Sequence, residues 1–319
     1  MDGRRTAPPD DGAGSVVEAA PAKINLALHV TGRRADGYHL LDTLVVHGVA
    51  ADRLGAHPRG AAWTSDEPVP IDLAITGPFA AGLDAGPDNL VLRAARLLEA
   101  EAGRLRAPIV PVALALDKHL PVASGIGGGS SDAAATLRLL NRVWRLDLPR
   151  ARLAEIALPL GADLPMCVHG VALRARGIGE TIDRLADLPA LPMVLVNPGV
   201  AVSTPAVFRA LERRDNPPMP DLPERFVDAG HLATWLAATR NDLEAAAVHV
   251  APIVGEVLAR LRATPGCRLA RMSGSGATCF AVFASEAAAD AAAAAMPAVW
   301  WAAVGRVGGP GATAVAGPA

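Results

Sequence analysis

The apolar positions in the first half of the chain follow two alternating spacings. Short apolar runs, typical of buried strands, occur at 24–30, 43–49 and 109–116. Apolar residues three and four positions apart, typical of helices, occur at 89–101, 132–144 and 151–158. This alternation predicts a mixed α and β domain.

The second half continues the alternation with more loops. It predicts strands at 193–196 and 278–283, helices at 205–213, 231–239 and 242–263, and a proline-rich loop at 216–223. The alanine-rich stretch 281–303 is interrupted by Glu286 and Asp290, so it predicts a surface helix and not a membrane span. We predict a disordered leader at 1–16, a domain boundary near residue 175 and a flexible tail at 307–319. The pattern leaves open whether a late strand returns to the first domain.

Composition narrows the class of protein. Of 319 residues, 51% are apolar and 19% charged, which suits one large or two medium globular domains. A net charge of −2 and 3% aromatic residues argue against a nucleic-acid or membrane partner. Cys167, Cys267 and Cys279 fit neither a zinc site nor a disulfide framework, so we expect a reducing, cytoplasmic location. The histidines show no metal-ligand spacing, and the chain lacks a Gly-x-Ser-x-Gly elbow.

The most informative segment is a glycine-rich loop at 121–131, called here the first glycine loop. Four glycines and three serines occupy positions 124–131, directly before a predicted helix. Glycine allows backbone N–H groups to turn toward an anion, and the helix N-terminus adds a positive dipole end. The loop lacks the Gly-Lys-Ser/Thr ending of a Walker loop, and Ser130 stands where a dinucleotide fingerprint has its third glycine. We therefore predict a phosphate site of a third kind and disfavour a flexible linker.

Rare residue types mark further candidates. Lys23 and Lys118 are the chain's two lysines among 30 basic residues, and arginine cannot replace a compact charge with a tunable pKa. Their alternative role is a solvated surface position. Tyr38, the sole tyrosine, precedes His39, and together they offer a ring face and two ring nitrogens to a planar group. A structural tyrosine in a turn is equally consistent with the sequence.

Asp163 is the candidate general base. It lies in an apolar neighbourhood between Gly161 and Pro165, where burying a carboxylate is costly and therefore suggests a function. Phosphoryl transfer often uses a carboxylate near the attacking hydroxyl. Its alternative role is to cap the segment that follows.

Five segments together resemble the GHMP kinase superfamily. They are PAKINL at 21–26, GRRADGYH at 32–39, LPVASGIGGGSSDAA at 120–134, GADLP at 161–165 and SGSGA at 273–277. The resemblance covers about residues 20–283. It implies a two-domain α+β fold, with an N-terminal ATP-binding domain of ribosomal-protein-S5-like type at 17–175 and a C-terminal ferredoxin-like α/β sandwich at 176–306.

The first two segments are the more specific ones. They resemble the branch of the superfamily that phosphorylates a cytidine-bearing methylerythritol in the non-mevalonate route to isoprenoid precursors. The resemblance implies a small-molecule acceptor, ATP as donor, Mg²⁺ arriving on ATP, and direct transfer to the 2-hydroxyl. It leaves open whether the protein is a monomer or a homodimer.

The same resemblance assigns roles to individual residues. Asp163 would be the catalytic base and Lys23 its partner. Asn25 would orient the methylerythritol, Tyr38 and Phe208 would sandwich the cytosine, and His39 would read its edge, with Thr204 in the same pocket. The residues implied for ATP binding are Asn89, Lys118, Pro121, Val122, Ala123, Ser124, Gly125, Ile126, Gly127, Gly128, Gly129, Ser130 and Ser131.

Two alternatives remain at this point. One is another GHMP small-molecule kinase, of the mevalonate or homoserine type, against which the Tyr38–His39 pair argues because such substrates carry no base to stack. The other is a binding module that kept the fold and lost catalysis, against which the intact Lys23, Asp163 and first glycine loop argue.

Overall fold

The computed structural model describes residues 15–309 apart from positions 66 and 186. The predicted leader at 1–16 and tail at 307–319 lie outside these residues, except at their inner ends. There Val16 begins the first strand and Val307 ends the last one. Among the described residues, no helix has both the length and the apolar character needed to cross a bilayer.

Six strands of the described chain form the first sheet. Its elements are β1 (Val16–Arg33), β2 (His39–Pro58), β3 (Ile71–Thr76), β4 (Val112–Asp117), β5 (Leu173–Gly177) and β6 (Thr181–Arg184). The order is β3-β4-β2-β5-β6, with β1 paired along β2, and only the β3–β4 pair is parallel within the part described. The helices connected to it are α1 (Leu90–Leu105), α2 (Gly128–Val143), α3 (Arg150–Ala157) and α4 (Leu164–His169).

The second sheet has four antiparallel strands in the described chain, in the order β10-β7-β9-β8. They are β7 (Leu191–Asn197), β8 (Cys267–Met272), β9 (Cys279–Phe283) and β10 (Trp301–Val307). Its helices are α5 (Thr204–Ala210), α6 (Ala229–Ala237), α7 (Glu244–Val250), α8 (Ile253–Ala263) and α9 (Glu286–Ala294). The late strand β10 pairs with β7, so it belongs to this sheet.

Apolar packing joins the two sheets. One core lies between α1–α4 and the first sheet, and a second lies between α7–α9 and the second sheet. A third cluster contains residues of both sheets, among them Ile24 and Leu44 of the first and Leu195 and Phe280 of the second. All four side chains are fully buried, so the two halves share one continuous apolar seam.

Three predicted elements differ from the structure. The helix predicted at 242–263 is two helices, α7 and α8, because Pro252 cannot donate a helical hydrogen bond. The surface helix predicted at 281–303 is wrong in extent: only Glu286–Ala294 is helical, between the end of β9 and the start of β10. Pro297 stops it, and the aromatic run that follows suits a strand. Helix α2 begins at Gly128, inside the first glycine loop.

The domain boundary near residue 175 stays a prediction. Strands β5 and β6 pair with each other, and β5 pairs with β2, so the first sheet continues to Arg184.

A buried ion pair fastens the proline-rich loop to the first sheet. Arg174 donates to Asp42 through Nε at 2.8 Å and Nη2 at 2.7 Å. The same carboxylate accepts the N–H of Met219 at 2.9 Å, and both charged side chains are buried. One pair thus connects β2, β5 and the 216–223 loop.

We expect Arg174→Met to lower the free energy of unfolding by about 3–5 kcal/mol, because it leaves Asp42 as a buried carboxylate without its cation. Chemical denaturation measures the loss. The control is Arg59→Met, which removes the exposed Arg59–Asp72 pair and should cost about 0–1 kcal/mol. Equal losses for the two variants would contradict the role given to the buried pair.

Candidate active site

A cleft of about 1110 Å³ opens where the two halves of the protein meet. Strands β1 and β2, the first glycine loop and the start of α4 line it from the first half. Helix α5 and a second glycine loop, residues 273–277, line it from the second half. The residues predicted for catalysis and for the acceptor all line this one cleft: Lys23, Asp163, Asn25, Tyr38, His39, Thr204 and Phe208.

Lys23 and Asp163 form an ion pair at the centre of the predicted chemistry. Their Nζ and Oδ2 atoms are 3.4 Å apart, and Lys23 is 5% exposed whereas Asp163 is 49% exposed. Asp163 precedes α4, but its side chain makes no capping hydrogen bond with the described residues. The capping alternative is therefore not supported. The carboxylate is open to a ligand on one side and held near a buried ammonium on the other.

A chain of hydrogen bonds orients Lys23. Its Nζ donates to Asn25 Oδ1 at 2.9 Å, Asn25 Nδ2 donates to Thr43 Oγ1 at 2.8 Å, and Thr43 donates to the carbonyl of Ala27 at 2.6 Å. Irregularities in the β1–β2 pairing fall between Pro21 and Lys23 and between Asn25 and Ala27. Such bulges re-aim side chains, which explains how a strand that is otherwise core presents these polar groups to the cleft.

His47, the histidine next to Lys23, is uncharged, so Lys23 carries the positive charge at this position. Burial lowers the pKa of His47 to about 3, although its ring nitrogen Nδ1 lies 3.1 Å from the carbonyl of Val171. Lys23 lies opposite His47 in the β1–β2 register and disfavours a second cation there. The imidazole is thus neutral at physiological pH.

The first glycine loop presents backbone donors to the cleft. Gly127 precedes α2 with a φ of 64°, in the left-handed region, and within the described chain no side chain caps this helix. The N–H groups of Gly128, Gly129 and Ser130 therefore remain free for an anion, at the positive end of a 16-residue helix. These three residues line the cleft.

The second glycine loop packs directly on the first. A Cβ at Gly125 would lie 2.6 Å from the carbonyl oxygens of both Ser273 and Gly276, so only glycine fits. Ser273 Oγ donates to the carbonyl of Gly125 at 3.1 Å, and the N–H of Thr278 donates to the carbonyl of Ser124 at 2.9 Å. The sequence identified 273–277 as one of the five segments that resemble the GHMP kinases, but its contact with the first loop joins residues 148 positions apart.

Two rings pack together at the α5 end of the cleft. The ring centroids of His39 and Phe208 are 4.5 Å apart with an interplanar angle of 24°, so His39 covers the face of Phe208. Tyr38, which we expected opposite Phe208, is 60% exposed. Burial, with Arg33 and Arg214 adding to it, lowers the pKa of His39.

The hydrogen-bonding capacity of His39 is only partly used. Its Nε2 is buried without a hydrogen-bond partner among the described residues. A neutral imidazole can both donate and accept, so this ring suits the edge of a nucleobase. Nearby, the hydroxyls of Thr204 and Ser275 are 2.7 Å apart and link α5 to the second glycine loop.

Several residues predicted for ATP binding lie outside the cleft lining. Asn89 caps α1, accepting the N–H of Val91 at 2.9 Å. Lys118 is buried and bonded to Asp52 and Asp132. The other predicted residues that do not line the cleft are Pro121, Val122, Ile126 and Ser131, whereas Ala123, Ser124 and Gly125 line it together with Gly127 to Ser130. Direct roles for the residues outside the lining stay predictions.

Thr43, Ser275 and Arg209 are polar residues of the cleft lining that the sequence did not single out. Thr43 orients Asn25, and the feature that could have identified it in the sequence is a hydroxyl inside an apolar strand. Ser275 contacts Thr204, and its signal was the second glycine loop itself. Arg209 lines the cleft on α5, and its guanidinium has no carboxylate partner among the described residues. One arginine among many carries no compositional signal.

Comparisons with known proteins identify the family of the chain. The model of the GHMP kinases N terminal domain matches residues 89–171, and that of the GHMP kinases C terminal region matches 207–300. The 4-diphosphocytidyl-2-C-methyl-D-erythritol kinase of Cereibacter sphaeroides is 52% identical over 294 residues, which cover 91% of this chain and 98% of that relative.

Solved structures give the same result. A crystal structure of 4-(cytidine 5'-diphospho)-2C-methyl-D-erythritol kinase superposes with a TM-score of 0.74 at 37% identity, covering 92% of this chain and 100% of that one. A homoserine kinase from Cytophaga hutchinsonii has a TM-score of 0.63 at 16% identity, covering 95% and 97%, and shows a shared fold only. The predicted two-domain α+β fold is confirmed.

We expect Thr43→Val to reduce the ATP-dependent turnover implied by the sequence about tenfold, because it removes the hydrogen bond that fixes Asn25 and through it Lys23. Steady-state kinetics measure the effect. Thr43→Ser keeps the hydroxyl and should stay within about twofold of the wild type. If both variants turn over at the wild-type rate, Thr43 does not orient the pair.

Proposed function

We propose that the protein transfers a phosphoryl group from ATP to the 2-hydroxyl of 4-diphosphocytidyl-2-C-methyl-D-erythritol, since the chain belongs to the 4-diphosphocytidyl-2-C-methyl-D-erythritol kinases within the GHMP kinases. It is a kinase of isoprenoid precursor biosynthesis. The observation that carries the mechanism is the Lys23–Asp163 pair, which shares one cleft with the free N–H groups of the first glycine loop.

Asp163 acts as the general base. Its exposed carboxylate accepts the proton of the acceptor hydroxyl as the oxygen attacks the γ-phosphorus in line, and no covalent phosphoenzyme forms. Lys23 pairs with this carboxylate and stabilises the negative charge that spreads over the phosphoryl oxygens. Because Lys23 is buried and held by Asn25, its charge is positioned before the substrate arrives.

The first glycine loop holds the ATP phosphates. Backbone N–H groups from Gly128, Gly129 and Ser130 bind them at the N-terminus of α2. This role needs no lysine side chain in the cleft, in agreement with the buried position of Lys118.

Mg²⁺ is expected to arrive on ATP. The described residues contain no group of three or more His, Cys, Asp or Glu side chains able to hold a metal ion. Mg²⁺ commonly binds through phosphates, water and one or two protein oxygens. The Ser130 hydroxyl, which lines the cleft, would hold it together with the phosphates. When bound, the ion neutralises phosphate charge.

The α5 end of the cleft receives the cytidine diphosphate part of the acceptor. Phe208 supplies a ring face, neutral His39 supplies the donor and acceptor for the cytosine edge, and exposed Tyr38 is free to cover the other face. Arg209, the residue after Phe208, is the cleft guanidinium without a carboxylate partner in the described chain, and it pairs with the diphosphate.

The alternatives have less support. Mevalonate and homoserine lack a base for the His39–Phe208 surface, and the likeness to a homoserine kinase extends to the fold alone. A binding module without catalysis would not need the oriented Lys23–Asp163 pair. The cytoplasmic location stays a prediction.

The choice of acceptor can be tested directly. Purified protein with MgATP should form ADP rapidly with 4-diphosphocytidyl-2-C-methyl-D-erythritol, and at background rates with mevalonate or homoserine. Product analysis by mass spectrometry and ³¹P NMR should place the new phosphate on the 2-hydroxyl. Preference for mevalonate or homoserine would overturn the proposed acceptor.

We expect Asp163→Asn to lower kcat by about 10²- to 10⁴-fold while binding of an unreactive ATP analogue stays unchanged, because the amide cannot take the proton. The control is Asp183→Asn. Asp183 is a similarly exposed carboxylate on β6, and it pairs with Arg176 on β5. That variant should keep wild-type kcat. Activity of Asp163→Asn within a few-fold of the wild type would exclude Asp163 as the base.

A further inference from the structure

A buried ion triplet lies beneath the first glycine loop. The ammonium of Lys118 donates to Oδ2 of Asp132 at 2.7 Å and also to Oδ2 of Asp52. The side chains of Lys118, Asp52 and Asp132 are 4%, 0% and 5% exposed, so water does not solvate these charges. None of the three lines the cleft.

The triplet connects the two ends of the loop. Asp52 Oδ1 accepts the N–H groups of His119 at 2.6 Å and Leu120 at 2.7 Å, the two residues directly before the loop. Asp132 lies directly after the loop, in the first turns of α2. Lys118 therefore bridges the segment that enters the loop and the helix that leaves it, while Asp52 anchors both to β2.

The loop also rests on the triplet. A Cβ at Gly128 would lie 3.0 Å from Lys118 Nζ, so the backbone that presents N–H groups to the cleft sits directly above the ammonium. A shift of Lys118 would change the height of that backbone. Displacing the groups that bind a phosphate changes binding and rate strongly.

We propose that Asp52 and Asp132 are positioning residues for ATP, which hold Lys118 between the ends of the first glycine loop and so fix the N–H groups that bind the phosphates. This inference rests on the proposed function for ATP alone and not on the identity of the acceptor. It also gives Lys118 a role beneath the loop in place of a direct contact with phosphate.

The charges of the triplet support a positioning role over a stabilising one. Burying three charged groups has a large desolvation cost, and such networks contribute little net stability. Burial, opposed by Lys118 and reinforced by Asp52, raises the pKa of Asp132 to about 8. Its Oδ1 has no hydrogen-bond partner in the part of the chain described. The hydrogen bond from Lys118 to Oδ2 is thus the contact that connects Asp132 to the segment entering the loop.

The test compares Asp132→Ala with Asp132→Asn in the full chain. Asp132→Ala removes the acceptor and should weaken binding of an unreactive ATP analogue about tenfold, with a matching rise in the KM for ATP and an acceptor KM within about twofold. Asp132→Asn keeps an oxygen for Lys118 and should bind the analogue like the wild type. Calorimetry and steady-state kinetics give these values.

Glu101→Ala is the matched control. Glu101 is also a buried helical carboxylate that accepts from basic side chains, Arg104 and Arg152, but it lies near the far end of α1. It should lower the Tm without changing the ATP affinity. An equal loss of ATP affinity in Glu101→Ala would show that destabilisation alone explains the effect and would overturn the proposal.

Other outcomes also separate the possibilities. Wild-type analogue affinity in Asp132→Ala, with a loss in Lys118→Met, would mean that Lys118 contacts the nucleotide itself, against our inference. If Asp132→Ala does not fold, Asp52→Asn replaces it in the test. Asp52→Asn keeps an oxygen for the N–H groups of His119 and Leu120 but places an amide NH₂ against the ammonium of Lys118. Wild-type affinity of Asp52→Asn for the analogue would overturn the proposal. If the wild type does not bind the analogue, the proposed function fails first.

Discussion

The close backbone contact between the two glycine loops is the constraint on which the site depends. Gly125 admits no side chain because two carbonyl oxygens of the second loop occupy that space. This contact joins a loop of the first sheet to a loop of the second, and hydrogen bonds from Ser273 and Thr278 fix its register. The first glycine loop, the Lys23–Asp163 pair and the α5 end of the cleft thereby keep a fixed relation to one another.

A series of hydrogen bonds orients the polar groups of the site. Lys23 depends on Asn25, Asn25 on Thr43, and Thr43 on a strand carbonyl. The N–H of Asn25 also donates to Ser273 Oγ at 3.1 Å, so the same residue joins the Lys23–Asp163 pair to the second glycine loop. Buried polar networks of this kind are costly when incomplete and rigid when satisfied, which suits a charge that must be in place before reaction.

The sequence was sufficient for the parts of the site that are local. The first glycine loop and the apolar setting of Asp163 each pointed to a residue or segment that lines the cleft, and the rarity of lysine pointed to Lys23, which lines it, and to Lys118, which does not. Partners that are distant in the chain could not be predicted from the sequence. Asp52 is 66 positions from Lys118, and no spacing rule connects them. For the same reason the stacking of His39 on Phe208 was not foreseen. Helix limits were wrong where a single proline or an aromatic run outweighed an apolar pattern, as at Pro252 and in 281–303.

The ring contact at the α5 end has a consequence for how the cleft fills. The imidazole of His39 covers a face of Phe208. A planar group that stacks on that same face competes with the imidazole, so its apparent affinity is the intrinsic affinity reduced by the fraction of molecules in which the face is open. The imidazole thus acts as an internal competitor for the face of Phe208, and this competition disfavours planar groups that bind the cleft weakly.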